Sequence, residues 1–238
     1  MRYVYVQLFL ILLSLFGAPT LWAEDALHPG LELEQAPINR ADIESIKRGG
    51  KLVATNCLSC HTLVYLRYDK LAKEVGVIYE KMPINVKSWP YGVTPPDLSL
   101  EADVRGIDWI YTYLQSFYTD SKRPTGVNNL LVPNTAMPAI LAPYQGQQVL
   151  VNKFVPDLMG HVQWYDLVQP LQPGSVSSEE FHGMVKDIVN FLAYAAAPYQ
   201  LEQEKIGWWT LGFLLILFVM MYFLKREYWR DVKKFKDD

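Results

Sequence analysis

Two uncharged apolar runs frame the chain. The first extends from Val4 to Phe16, after a short start that carries Arg2, and Leu21-Trp22-Ala23 follows it. A basic start, an apolar stretch and a small residue at the boundary are typical of a secretory signal peptide. We therefore predict that residues 1–23 are a signal peptide cleaved after Ala23, with an uncleaved signal anchor as the alternative.

The second apolar run, Ile206 to Leu224, contains 19 residues without a charge. A helix of that length spans about 28 Å, the thickness of one hydrocarbon core. Trp208-Trp209 lie at its start and Lys225-Arg226 open a basic tail at its end. Interfacial aromatics and the positive-inside rule then predict a transmembrane helix at 206–224 with residues 225–238 in the cytoplasm. A buried core helix is the alternative.

Between these runs, apolar residues recur mainly at helical spacing. The predicted helices cover Ala41 to Cys60, Tyr65 to Tyr79, Asp108 to Tyr118, and Phe181 to Ala197 with Ser178 as the N-cap. The segments rich in Pro, Gly and polar residues between them predict long loops at Met82 to Pro96, Thr119 to Ala136 and Pro170 to Ser178. Strand signals are weak and centre on Gln148 to Phe154. This pattern predicts a mainly α domain over residues 24–205, whose long loops need a large ligand to pack on.

Composition and charge narrow the class of protein. The chain has 238 residues, of which 50% are hydrophobic, and a net charge of −3; its mean hydropathy of +0.03 excludes a polytopic membrane protein. The charge balance does not indicate nucleic-acid binding. Residues 24–205 carry 15 basic and 21 acidic side chains, a net −6. Such a body suits a basic protein partner, although a solvated acidic surface explains it equally well.

The chemistry is concentrated in Cys57-Leu58-Ser59-Cys60-His61. This is the C-x-x-C-H pattern of c-type haem attachment. On one helical turn two thiols can bind the two vinyl groups of a porphyrin, and the histidine that follows can ligate its iron. The sequence thus predicts Cys57 and Cys60 as covalent haem attachment points and His61 as an axial ligand.

Three other interpretations of the cysteine pair are weaker. A thioredoxin-like redox pair needs a βαβ context, which the pattern lacks. A structural zinc site needs two further ligands at matched spacing. A disulfide between cysteines three positions apart closes too small a loop to stabilise a fold much.

Several residues can complete the iron coordination. The candidates are the remaining histidines and the methionines of residues 24–205: His28, His161, His182, Met82, Met137, Met159 and Met184. Met137 lies between Pro133 and Pro138, which stiffen its loop and remove two backbone donors. A stiff loop suits a thioether ligand, which favours ferrous iron. Packing in the core is the alternative role for Met137, and spacing alone does not decide between the two.

The sequence also resembles the cytochrome c1 family, the membrane-anchored haem subunits of the cytochrome bc1 complex (ubiquinol–cytochrome c reductase). The resemblance covers most of the predicted mature chain. It rests on a series of blocks in a fixed order: the haem motif, Tyr65-Leu66-Arg67-Tyr68, Pro95-Pro96-Asp97-Leu98-Ser99, Asp108-Trp109-Ile110-Tyr111-Thr112-Tyr113-Leu114, Phe117-Tyr118, Arg123-Pro124, Asn128-Asn129, Ala136-Met137-Pro138, Lys186-Asp187-Ile188-Val189-Asn190-Phe191-Leu192 and the C-terminal anchor. The haem motif is common to all c-type cytochromes, whereas this order of blocks is specific.

The resemblance implies a cytochrome c-like haem domain with one covalent haem c. It implies that Met137 is the second axial ligand, that Arg105 lies near a haem propionate, and that Pro95 and Pro96 line the haem pocket. An arginine beside a carboxylate forms charge-assisted hydrogen bonds. Two departures from the family pattern, Ala197-Pro198 and Trp109, leave the iron ligands untouched.

The implied function is electron transfer in the respiratory bc1 complex, without catalysis by the subunit itself. The implied partners are cytochrome b, a Rieske iron–sulfur protein as donor, a soluble or membrane-bound cytochrome c as acceptor, and membrane lipid. The implied location is a bacterial inner membrane, with the haem domain in the periplasm. The alternatives are an anchored c-type cytochrome of a terminal oxidase or another respiratory complex, and a haem peroxidase with a displaceable sixth ligand.

Overall fold

The computed structural model describes residues 31–84, 88–89, 91–151 and 162–237. The predicted signal peptide and the ligand candidates His28, Met159 and His161 lie outside these residues.

The described elements follow one another as short strands and helices, with one long helix at the end. The helices are α1 (Ile43–Asn56), α2 (Lys70–Glu74), α3 (Glu101–Val104), α4 (Ile107–Gln115), α5 (Ala142–Gln145), α6 (Ser178–Ala196) and α7 (Gln200–Asp237). The strands are β1 (Leu31–Glu32), β2 (Phe117–Thr119), β3 (Val127–Asn129), β4 (Gly146–Leu150), β5 (Val162–Gln163) and β6 (Val168–Pro173). Three 3₁₀ turns cover Val64–Leu66, Tyr79–Lys81 and Trp164–Asp166. The mainly α fold with one long apolar C-terminal helix confirms the predicted fold class.

Helices α1 and α6 form the centre of the domain. Their facing side chains are completely or almost completely buried, as Ile46, Val53, Ile188 and Phe191 show. Gly49 allows the close approach, because a Cβ on it would lie 1.8 Å from the backbone oxygen of Asp187 on α6. The glycine in α1 thus has a packing role that no other residue can take without separating the two helices.

A polar network crosses the same interface. The buried carboxylate of Asp187 accepts hydrogen bonds from Ser45 Oγ at 2.6 Å and from Arg48 Nε at 2.6 Å. Asn190 Nδ2 donates to Ser45 Oγ at 3.0 Å and to the Asn39 carbonyl at 2.9 Å. Because buried polar groups stabilise a core only when they are paired, this network defines one register between α1 and α6.

The helix starts follow ordinary capping chemistry. Asp42 Oδ1 accepts from Ser45 N at 3.0 Å and caps α1. Helix α6 begins with a capping box, in which Ser177 Oγ accepts from Glu180 N and the Glu180 carboxylate accepts from Ser177 N. The prediction of Ser178 as N-cap was therefore wrong by one residue, because Ser177 is the residue whose side chain reaches the third helical N–H.

Within the described residues the strands form three two-stranded sheets. β1 pairs in parallel with β5, β2 antiparallel with β3, and β4 antiparallel with β6. The sequence pattern indicated only the β4 region and predicted a turn where β6 extends to Pro173. Prolines are tolerated there because a two-stranded ribbon leaves one edge of each strand unpaired.

Helix α7 continues without a break from Gln200 into the apolar run. Its segment Ile206–Arg230 has a mean hydropathy of 2.0, and no part of it is buried against the rest of the described structure. Trp208 and Trp209 at its start are 77% and 84% exposed. A segment that is apolar and unburied from Ile206 to Arg230 has the length and composition of a membrane anchor and lacks the burial of a core helix.

Candidate functional site

The Cys57–His61 motif forms a tight turn at the end of α1. Cys57 caps the helix, with its N–H donating to Val53 O at 2.9 Å. The Cys57 carbonyl then accepts from Cys60 N at 3.0 Å and from His61 N at 2.8 Å. The turn therefore brings both cysteines and the histidine back to one point on the end of a helix that is fixed in the core.

The cysteines differ in environment. Cys57 is half-buried and Cys60 is exposed. Burial, with a smaller contribution from Cys60, raises the pKa of the Cys57 thiol to about 12.

His61 is only 9% exposed. Its Nδ1 lies 2.8 Å from the Pro96 carbonyl. Because a carbonyl can only accept, Nδ1 carries the proton and the Nε2 lone pair is left for a metal. Burial lowers the pKa of His61, against opposing effects of the Pro96 bond and of the negative charges of Glu101 and Asp97. The neutral imidazole that results is the form that ligates iron.

The segment that holds Pro96 is itself held by Asp97. Thr62 and Asp97 form an isolated parallel bridge, and Leu98 N donates to Thr62 O at 2.8 Å. The Asp97 carboxylate accepts from Thr62 Oγ1 at 2.5 Å and from Val64 N at 3.0 Å. Burial alone would raise the pKa of Asp97, but hydrogen bonds from Ser99, Thr62 and Val64 outweigh it and hold the pKa below its ordinary value. The ionised carboxylate fixes the chain on both sides of the His61–Pro96 contact.

Of the predicted pocket prolines, Pro95 is half-buried and Pro96 is exposed. Pro96 therefore contacts the site through its carbonyl oxygen, a role that the sequence did not predict. An X-Pro-Pro stretch is restricted to extended conformations, which suits a segment that runs beside the haem motif.

Met137 is half-buried and packs against the main core. It lines an apolar crevice with Leu114 and Phe117 from the region of α4 and with Ile140. Its backbone N–H donates to Thr135 Oγ1 at 3.3 Å. The environment is apolar enough for an axial thioether.

The start of the Met137 loop is held by side chains from β2–β3. Asn134 adopts a left-handed backbone with φ of 65°. Its N–H donates to Asn128 Oδ1 at 2.8 Å, and its carbonyl accepts from Arg123 Nη2 at 3.2 Å. Asn129 Oδ1 accepts from Leu131 N at 2.8 Å, just upstream. The Asn128-Asn129 pair, one of the blocks that carry the family resemblance, therefore organises the loop.

Side chains of α4 link Arg105 to the Met137 loop. Arg105, which follows α3, lies over the ring of Trp109 at 4.7 Å and pairs with Glu101 at 3.7 Å. Trp109 stacks on Tyr113 with ring centroids 4.9 Å apart. The Tyr113 hydroxyl lies 3.0 Å from Thr135 Oγ1, two residues before Met137. The sequence analysis predicts no role for Tyr113 or Thr135, because aromatic residues at helical spacing such as Trp109 and Tyr113 usually pack in the core.

Of the described rivals for the second axial position, Met82 is engaged in the core, and His182 and Met184 lie on α6. The Met82 sulfur is buried and accepts from Leu63 N at 3.3 Å. His182 and Met184 lie half-buried on α6, where the His182 ring contacts Phe181. No group of three or more His, Cys, Asp or Glu side chains able to hold a metal ion is found in the part of the chain that the structure describes.

Two cysteines and a neutral, oriented histidine on one turn, in a mainly α domain with a single apolar C-terminal helix, define an anchored c-type cytochrome. Comparison with known proteins identifies the particular family. The family model described as "Cytochrome C1 family" matches residues 85–232. The cytochrome c1 of Allochromatium vinosum is 40% identical over an aligned length of 254 residues, gaps included. The alignment covers 98% of this chain and 100% of that protein. The chain therefore belongs to the cytochrome c1 family.

Two further relatives are informative. The ammonia monooxygenase gamma subunit of Nitrosomonas europaea is 34% identical, over 98% of this chain and 100% of that protein. The cytochrome b/c1 of Bradyrhizobium diazoefficiens is 24% identical, over 82% of this chain and 34% of that protein.

The family membership confirms the resemblance drawn from the sequence. The chain is a membrane-anchored c-type cytochrome, an electron-transfer subunit of the bc1 complex, and its cofactor is one covalent haem c. The terminal-oxidase and peroxidase alternatives are not favoured.

Proposed function

We propose that the chain works in ubiquinol–cytochrome c reductase as the haem subunit that receives an electron from a Rieske iron–sulfur protein and passes it to a soluble or membrane-bound cytochrome c. In this proposal quinol chemistry belongs to cytochrome b. A relative whose printed name joins b and c1 supports that partner. Haem c supplies an iron that alternates between the ferric and ferrous states.

Cys57 and Cys60 are proposed as the thioether attachment points, with His61 and Met137 as the axial ligands. The single observation that carries this proposal is the 2.8 Å contact between His61 Nδ1 and Pro96 O, which leaves Nε2 for the metal. The half-buried Met137, in its apolar crevice, has surroundings that would suit a thioether ligand. With haem bound and both positions filled by these side chains, the site would exchange electrons and would not bind a substrate at the iron.

Arg105 is proposed to bind a haem propionate, and Pro95 and Pro96 to line the pocket. The contact between Arg105 Nε and Glu101 Oε2, at 3.7 Å, is too long for a direct hydrogen bond. The Arg105 guanidinium therefore keeps donors for a carboxylate while its face rests on Trp109.

The proposed organisation is a signal peptide at 1–23, a periplasmic haem domain at 24–205, a transmembrane helix at 206–224 and a cytoplasmic tail at 225–238. The basic residues after Leu224 support this orientation in a bacterial inner membrane. A C-terminal reporter that is fluorescent only in the cytoplasm tests it, and fluorescence with the full chain is the expected result. A signal only from a reporter active in the periplasm would reverse the orientation.

The ligand assignment is tested by Met137→Leu in the full-length chain. We expect loss of the methionine-to-iron charge-transfer band of the ferric protein and a lower reduction potential, because thioether ligation favours ferrous iron. Met82→Leu is the matched control and should keep both properties. An unchanged spectrum and potential in Met137→Leu would remove Met137 as a ligand.

The assignment to the reductase is tested by purification of the anchored protein from native membranes. Co-purification with a two-haem cytochrome b and a Rieske protein is expected. Recovery with an oxidase core, or with the subunits of an ammonia monooxygenase, would contradict it.

A further inference from the structure

We infer that Tyr113 is a positioning residue for the axial methionine: its hydroxyl, acting through Thr135, holds the Met137 thioether in place and so sets how firmly it stays bound. This inference rests on the proposed ligation by Met137.

The Tyr113 ring is immobilised by its neighbours. Trp109 stacks on it at 4.9 Å with an interplanar angle of 10°, and Phe117 contacts it edge-on at 5.1 Å. Both neighbours belong to α4 or to the strand that follows it. Burial raises the pKa of Tyr113, partly offset by Thr135 and Arg105, and the phenol stays protonated at neutral pH. The hydroxyl is therefore a fixed hydrogen-bonding group at a defined point.

Thr135 transmits that position to the loop. Its Oγ1 lies 3.0 Å from the Tyr113 hydroxyl and accepts from Met137 N at 3.3 Å. Thr135 is 8% exposed, so water does not readily replace the phenol as its partner. The three groups form one chain of hydrogen bonds from a rigid helix to the backbone of Met137.

The other anchors of the loop act further from the sulfur. Arg123 and Asn128 hold Asn134, three residues before Met137. Pro133 and Pro138 have no N–H to donate. Among the described contacts between a helix and this loop, the hydrogen bond between Tyr113 and Thr135 thus lies nearest to Met137 along the chain.

Loss of one ordinary hydrogen bond changes an equilibrium by a few-fold to about ten-fold. In a c-type cytochrome the relevant equilibrium is displacement of the methionine by an added ligand. We therefore expect that removing the Tyr113 hydroxyl lets imidazole displace Met137 at a concentration lower by a few-fold to about ten-fold.

The experiment is an imidazole titration of the ferric full-length protein, followed by the charge-transfer band, with a redox titration alongside. Tyr113→Phe and Thr135→Val should both show easier displacement and a lower potential, whereas Thr135→Ser keeps the hydroxyl and should resemble the wild type. Tyr194→Phe is the matched control, because it loses a 2.7 Å hydrogen bond to Asp69 elsewhere in the domain. It should leave the titration unchanged.

The outcomes separate the two proposals. If Met137→Leu keeps the band, the ligand assignment itself is wrong. If Met137→Leu abolishes the band but Tyr113→Phe and Thr135→Val behave like Tyr194→Phe, the positioning role of Tyr113 is overturned. Should Tyr113→Phe not fold, Thr135→Val against Thr135→Ser gives the same decision.

Discussion

The two sides of the proposed haem site are built in different ways. The His61 side stands on the end of α1, which packs against α6 through fully buried apolar side chains and the glycine contact at Gly49. The Met137 side is a loop. It is held by hydrogen bonds such as those between Asn134 N and Asn128 Oδ1 and between the hydroxyls of Tyr113 and Thr135. The first depends on the core between two helices. The second depends on individual polar contacts in addition to the packing of Met137 against that core.

This difference teaches where the site can be adjusted. Core packing is cooperative, so a substitution on the His61 side changes the stability of the whole domain. Loop contacts of about 1 kcal/mol each open locally, at a smaller free-energy cost than global unfolding. We expect the methionine side to open first and to be the side at which the potential is tuned.

Gly49→Val should produce the largest effect. An added Cβ would lie 1.8 Å from Asp187 O, which is backbone and cannot move without separating α1 from α6. We expect a loss above about 4 kcal/mol, in the range of severe core changes. The measurement is the yield of covalently haem-stained protein on a denaturing gel, together with thermal unfolding.

Gly183→Ala on α6 is the matched control, since a Cβ there meets nothing within 4 Å. It should be neutral or stabilising by up to about 1 kcal/mol, because alanine is the better helix former. Wild-type yield and melting temperature in Gly49→Val would contradict the core-based account of the His61 side.

Asp187→Ala tests the polar part of the same interface. It leaves Ser45 Oγ and Arg48 without their acceptor. Because the Arg48 side chain is 55% exposed, the cost is below that of a fully buried ion pair, and we expect about 2 kcal/mol. Thermal unfolding should show this loss, while imidazole displacement at temperatures below the transition stays unchanged.

Glu74→Gln breaks the surface pair with Lys47 and serves as the control, with a much smaller expected effect. Equal melting temperatures for the two variants would show that the Asp187 network does not hold the helices together.

Asn129→Ala tests the methionine side. It removes a donor to Tyr113 O at 2.8 Å and the acceptor of Leu131 N at 2.8 Å. We expect a loss of about 1–2 kcal/mol, easier displacement of Met137 by imidazole and an unchanged yield of covalent haem.

The control for this variant is Asn56→Ala, which loses a 2.9 Å side-chain bond to Leu52 O at the end of α1. Its imidazole titration should match the wild type. If Asn129→Ala instead lowered the covalent haem yield and left the titration alone, the division between the two sides would be wrong.

Ser177→Ala should have the smallest effect, about 1 kcal/mol from loss of the α6 N-cap. Hydrogen bonds from the Ser177 backbone and side chain lower the pKa of Glu180. The stabilisation from an acid with a lowered pKa is present above its unfolded pKa, about 4.3, and disappears as the pH falls through the lower folded value. The stability difference between wild type and Ser177→Ala should therefore shrink below about pH 4.

Ser178→Ala is the natural comparison, because the sequence pattern had placed the cap there. It should cost nothing measurable, since Ser178 is the first helical residue. A larger loss in Ser178→Ala than in Ser177→Ala would return the cap to the position predicted from the sequence.

The sequence by itself determined the features that depend on local spacing. The C-x-x-C-H turn, the main helices α1, α4 and α6, and the apolar run of 206–224 follow from covalent geometry and from periodicity over a few turns. One error at this level is small, the one-residue shift of the cap to Ser177. A larger one is the predicted helix from Tyr65 to Tyr79, where the structure has only α2 (Lys70–Glu74) between two 3₁₀ turns. The shift arises because Ser177 and Ser178 both fit the sequence rule for an N-cap. Only the backbone conformation at the start of α6 shows that Ser177 accepts the N–H of Glu180.

Only the tertiary structure decided which distant side chains meet. His61 meets the carbonyl of Pro96, 35 residues away, and Tyr113 meets Thr135, 22 residues away. The strand β6 was missed for the same reason, because its partner β4 is not its neighbour in sequence. These contacts depend on how the loops close over α4 and on the fit of α1 against α6, which no local pattern specifies. The type of chemistry is thus encoded locally, whereas the positions of its supporting groups are set by packing.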